Sequence, residues 1–144
     1  MTIAYFGNRF NKFIFATKDI STIFHTEKLP PDRQADIIVI DKAPNINVIL
    51  PIGTVGIVLS DNISALHCLM RSGVKTITCG MSHRDTITLS SSLPNPTICL
   101  QRRLCALNGK IFEPAEYPIS TSVTDYECLL LAAATMLLCG TEPK

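Results

Sequence analysis

The stretch "VGIVLSDNISALHCLMRSGVKTITCG", residues 55–80, changes its periodicity twice. It opens on a short β-branched run that suits a strand buried on both faces, and the run ends in polar residues at 60–62. From there Ile63, Leu66, Leu69 and Met70 recur at helical spacing and predict one apolar helix face. Asp61 or Asn62 can cap that helix, and Gly73 can close it at its C-terminus. Residues 74–80, "VKTITCG", read as a second strand. Strand, capped helix and strand in this order predict a βαβ unit with a parallel pair and a right-handed crossover.

Working toward the N-terminus, "ADIIVID" (residues 35–41) is another continuous β-branched run and "TIAYF" (residues 2–6) a first strand. The segment between them, "GNRFNKFIFATKDISTIFHTEKLPPDRQ", reads as a loop plus a short strand ended by Pro30-Pro31. Toward the C-terminus the pattern shifts to period two. "TITLS" (86–90) places Ile87 and Leu89 on one face, "TICLQRRL" (97–104) follows a Pro94-Asn95-Pro96 turn, and Asn108-Gly109 is a hairpin signal. Such strands predict an antiparallel meander. The end, "TDYECLLLAAATMLLCG", predicts a helix with Thr124 and Glu127 as a capping box and Gly140 as its stop. Its uncharged run, 128–141, is shorter than the roughly 20 residues a bilayer needs, so a buried core helix and no membrane segment are expected. The expected fold is therefore α/β over a single domain, residues 1–144: a parallel βαβ core, an antiparallel β-meander and a buried C-terminal helix.

Composition narrows the function classes. The chain is 47% hydrophobic, 17% charged and without tryptophan, so its core rests on aliphatic residues and cysteine. Mean hydropathy is +0.28. A net charge of +1, with Arg102-Arg103 the densest basic spot, gives no footprint for nucleic acid. The six cysteines form no C-x-x-C pair and no zinc-type spacing, and they lie mostly in apolar runs with no secretory signal ahead of them. They are expected to be reduced core thiols of a cytoplasmic protein, with no metal and no cofactor. The terminal helix is apolar around its circumference, with Leu129, Leu130, Leu131, Met136, Leu137 and Leu138 unable to share one side. A second subunit is the expected cover, giving a homodimer.

The pieces "IVLSDN", "VKTITCG" with Asp85 five residues beyond Gly80, and "YECLLLAAATMLLCG" together resemble the later half of the central domain of the Mur ligases and folylpolyglutamate synthetases. "ADIIVIDKAPNI" is more loosely similar to that family's earlier strand. The resemblance runs over residues 35–140 and implies a shared fold, with the Asp61-Asn62 turn near an adenosine. The family's phosphate loop has no counterpart. Gly7 and Lys12 stand at G-x-x-x-x-K spacing, but Phe10 and Asn11 fill the middle and Phe13 stands where Ser or Thr is needed. The family's helical asparagines are missing too, with Glu127 and Cys128 in that part of the helix. The expectation is a non-catalytic, Mur-ligase-like domain that binds a protein or a small ligand, not an ATP-dependent ligase.

Two polar clusters are candidate sites. Asp61 and Asn62 end a parallel strand, where open α/β sheets place ligands, although an N-cap alone explains both. His83, Arg84 and Asp85 offer a base, an anion contact and an orienting carboxylate, the parts of a small metabolite enzyme sharing a crevice with Asp61; an ordinary solvated turn has the same composition. Cys79 reads as a core thiol beside that turn, and His25 and His67 have no partners at ligand spacing. Asp36 and Asp41 bracket a strand and are expected to face solvent. Glu113 and Glu116 flank Pro114 in a loop.

Overall fold

The computed structural model describes residues 1–18, 20, 22–45, 47–91 and 95–144. Ten strands and three helices are found among them. Eight strands form one sheet in the order β10-β7-β6-β5-β4-β3-β1-β2, and the remaining pair, β8 and β9, makes a separate hairpin. The six strands β2 (Ile23–His25), β1 (Ile3–Gly7), β3 (Ile37–Asp41), β4 (Val55–Leu59), β5 (Lys75–Gly80) and β6 (Ile87–Ser91) are parallel; β7 (Thr97–Leu100) and β10 (Ala115–Pro118) add antiparallel. The expected parallel core and antiparallel extension are both present.

The expected βαβ unit is β4, α2 (Ile63–Ser72) and β5. Asn62 caps α2, its side chain accepting from the Ala65 N–H at 3.3 Å, and Gly73 closes it in the left-handed region at φ +66°. The face turned to the sheet is Ala65, Cys68 and Leu69, with Ile63 56% and Met70 75% exposed. The expected apolar face is therefore rotated. Gly56 on β4 leaves room only for Leu69, whose side chain occupies the space a Cβ would fill, so that contact sets the angle at which the helix sits.

The first forty residues differ most from expectation. Phe10–Thr17 is a helix, α1, where a loop was expected. Arg9 at its N-cap makes no side-chain cap hydrogen bond, and the first turn has no acidic residue. Phe, Ile and Thr are middling helix formers, so local signals for a helix are weak. Packing supplies the stability: Phe13 is fully buried and stacks on Tyr5 of β1, rings 4.8 Å apart.

α1 and the terminal helix α3 (Tyr126–Leu138) lie on one face of the sheet and α2 on the other. The handedness rule places α1 and α2 on opposite faces, because β1→β2 and β4→β5 step in opposite directions along the sheet. β1, with β2 on one side and β3 on the other, marks the reversal.

β6 continues past the end of β5, overlapping it by two residue pairs, Cys79↔Ile87 and Gly80↔Thr88. A short turn then joins two parallel strands that would otherwise need a crossover of a dozen residues. The expected run 97–104 is interrupted: β7 ends at Leu100 and the chain leaves the main sheet to form β8 (Leu104–Cys105) and β9 (Ile111–Phe112) about Gly109, φ +90°. The turn expected at Pro94 begins within 92–94, outside the described residues.

α3 is capped by Asp125, which accepts from the Cys128 N–H at 3.2 Å, in place of the expected Thr124–Glu127 box. Every residue from Cys128 to Leu138 is buried within this one chain. The sheet covers one side, α1 another, and the β8–β9 hairpin reaches its end, with the Leu107 N–H on the Leu138 carbonyl at 2.9 Å. The cover expected from a second subunit is supplied on this side by α1, in the segment expected to be a loop plus a short strand. No helix among the described residues is long and apolar enough to cross a membrane.

Candidate functional site

The carboxyl ends of β1 and β3, on either side of the reversal, carry Gly7 and Asp41 side by side. Crevices of doubly wound sheets open at such a position. Here it is filled by a charged knot. The Asp41 side chain is 1% exposed, not the solvent-facing end residue expected, and it accepts from Arg9 Nε at 2.9 Å, from a second Arg9 nitrogen and from the Tyr5 hydroxyl. The other end of the guanidinium reaches Asp125 and Glu127 at the start of α3, each at 3.0 Å. One arginine thus joins β1, β3 and α3.

The electrostatics follow. The hydrogen bond to Asp41 pushes Arg9 further up from its already high range. Burial, and then the Asp41 carboxylate, push the Tyr5 phenol up. Burial alone would raise Asp125, but the Cys128 N–H and Arg9 more than offset it and hold its carboxyl below the usual range. Gly7 has no room for a side chain, because a Cβ would sit 2.6 Å from that of Asp41 and 2.9 Å from the Tyr5 oxygen.

Among the clefts beside the knot, two open at the carboxyl edge of the sheet. The first, about 590 Å³, is lined by residues 7–12 with His25 and Glu27. This is the G-x-x-x-x-K segment. Its Arg9 N–H donates to the Tyr5 oxygen at 3.0 Å, Lys12 Nζ lies 3.5 Å from Asp125, and the Phe10 ring stacks on His25 at 5.1 Å. The second cleft, about 470 Å³, lies at the carboxyl ends of β4 and β5. Ser60, Asp61, Gly80 and Met81 border it, Leu59, Cys79, Leu89 and Leu130 supply apolar wall, and Tyr126 and Glu127 close it from α3.

The sequence candidates fall apart in this geometry. Asp61 borders the second cleft, whereas Asn62 is occupied as the α2 cap and donates to the Lys42 carbonyl at 3.1 Å. Asp85 is buried and accepts from Ser60 Oγ at 3.2 Å and from the Ser82 N–H at 3.1 Å, knitting the β5–β6 turn. Gly80 passes so close that a Cβ would lie 2.5 Å from Ser60 Oγ. His83 and Arg84 are exposed on that turn and line neither cleft. The triad is not assembled around Asp61. Cys79 is fully buried, and burial pushes its thiol up, away from reactivity. Arg102 donates to the Arg84 carbonyl at 2.7 Å and Arg103 pairs with Glu113 at 2.8 Å, so the densest basic spot is spent on local contacts. Among the described residues no three His, Cys, Asp or Glu side chains are placed to hold a metal ion.

The knot was missed because its members lie 32, 116 and 118 residues apart. The available signal was Asp41 itself, a carboxylate at the end of a doubly buried strand that needs a partner. Fold and site define an α/β protein with a mostly parallel sheet and clefts at its carboxyl edge. No protein-family model, curated protein or solved structure matches the chain.

Proposed function

We propose that this is a Mur-ligase-like domain that works by binding a small molecule at the carboxyl edge of its sheet, not by ligation. The observation that carries the reading is the second cleft. It opens at the carboxyl edge of the parallel sheet, it has apolar walls with a few polar groups at the mouth, and Asp61 borders it. Against ligation stands the first cleft: at the place of a phosphate loop, the Arg9 N–H and the Lys12 ammonium both have partners within the chain, and no Ser or Thr follows Lys12.

A thermal-shift screen of metabolites tests this, with each hit repeated on Met81→Trp, which enlarges an exposed side chain at the mouth of the second cleft. A ligand at a hundred times its dissociation constant adds about 2.7 kcal/mol. Hits are expected to weaken in the variant, and magnesium-ATP titrated calorimetrically is expected to give no saturable heat. Micromolar ATP binding abolished by Lys12→Ala would overturn the reading.

A further inference from the structure

We infer that the second cleft takes an organic cation, an apolar body carrying a protonated amine, with Asp61 as its counter-charge. This rests on the reading of that cleft as a binding site and adds the chemistry of the ligand. The walls are apolar, so they favour a hydrocarbon or aromatic body over a strongly hydrated one. The polar groups at the mouth have a definite sign. Glu127 and Asp61 both border the cleft, and Asp85 lies against Gly80 just behind it. The neighbouring knot adds Asp41 and Asp125 with Arg9 and Lys12 among them, while Lys42, next to Asp41, holds its ammonium over the Phe6 ring and does not line the cleft.

The knot's two cations are already spent. Arg9 is shared by Asp41, Asp125 and Glu127, and Lys12 lies against Asp125. Arg84 lies on the turn beyond Met81 and Arg102 reaches that turn from the segment after β7, and neither borders the cleft. Asp61 differs from the other four carboxylates, because no hydrogen bond or ion pair of its side chain is found among the described residues. A phosphate or carboxylate entering here would meet this field with no free cation to receive it, whereas an ammonium would meet an open carboxylate beside an apolar wall.

Three isosteric probes decide the question: 2-phenylethylamine, 2-phenylethanol and phenylacetate, titrated at pH 7 into the isotopically labelled full chain while the Gly80 and Leu130 amide resonances are followed. The amine is expected to bind at least tenfold more tightly than the alcohol, and the carboxylate not to shift these resonances. Asp61→Asn is expected to remove the amine's advantage and leave the alcohol unchanged. Equal affinities of amine and alcohol, binding of phenylacetate, or an unaltered amine affinity in Asp61→Asn would overturn the cation assignment while leaving the cleft a binding site. Failure of all three probes to shift either resonance would overturn the underlying reading as well. The unchanged spectrum of Asp61→Asn away from the cleft serves as the check on folding, and Asp61→Glu, which keeps the charge, is expected to retain the preference.

Discussion

Replacing Arg9 by methionine would strip the buried Asp41 carboxylate of its counter-charge and leave the Tyr5 hydroxyl as its side-chain partner. Removing one partner of a buried ion pair costs about 3–5 kcal/mol, because the remaining charge stays desolvated. Arg9 is 24% exposed on its side chain, so water can follow the lost guanidinium part of the way. The lower end, about 3 kcal/mol, is the expected cost. The contacts to Asp125 and Glu127 are nearer the surface and add at most about 1 kcal/mol. Urea unfolding at pH 7 should show the midpoint falling with an unchanged slope, and Tm should drop by roughly 10 °C at about 2–4 °C per kcal/mol. The double variant Arg9→Met/Asp41→Asn removes the stranded charge and should recover about half of the loss. An Arg9→Met protein within about 1 kcal/mol of the parent, or a double variant less stable than the single one, would refute the view that the knot is a buried ion pair.

Acid should act on the same knot through Asp125, whose folded carboxyl lies below its ordinary 3.8. Its contribution is fully present above that value and is lost as pH falls through the folded one, and Asp125→Asn should flatten the acid limb of the stability–pH curve. All six thiols are free, so alkylation of denatured, unreduced protein should modify six cysteines, while native protein should react first at exposed Cys105 and last at Cys79 and Cys128. Burial pushes Cys128 up to about 12, so the stability it lends is present below pH 9 and is lost as pH climbs toward 12. Because α3 is covered within the chain, light scattering at micromolar concentration should give a mass near 15.8 kDa. A dimer abolished by Ile63→Lys and Met70→Lys would instead place the interface on the exposed stripe of α2.

Elements with strong local signals were legible in the sequence. β4, α2 and β5 announce themselves by β-branched runs, an Asn cap and a Gly stop, and α3 by its alanines and leucines. α1 was not legible, because an aromatic-rich segment without a cap becomes a helix only when Phe13 finds Tyr5. The cover of α3 was hidden for the same reason: with α1 illegible, burial of the helix within one chain could not be foreseen. The rotated face of α2 has a similar origin: Ile63 and Met70 satisfy helical periodicity, but Gly56 admits only Leu69. At the site, Asp61 could be placed from its position at a strand end. The partner of Asp41 could not, since nothing local distinguishes Arg9 from any surface arginine. Asp85 shows the reverse case, a residue conspicuous in sequence whose bonds all go to its own turn and to Ser60.

The span of the Arg9 contacts also fixes an order of events. A chain made from its N-terminus completes β1, α1 and β3 long before residues 126–138 exist. Until α3 arrives, the flank of α1 that packs on it and the sheet face over β3 to β6 have no cover, and the guanidinium holds Asp41 alone. The helix that must then dock is itself apolar on every side and cannot wait in water. Closing so long a loop is the slow part of folding, and exposed apolar surface invites aggregation meanwhile. The nascent chain is therefore vulnerable just before α3 emerges, and the second cleft takes its shape only when that helix brings Tyr126, Glu127 and Leu130 into place.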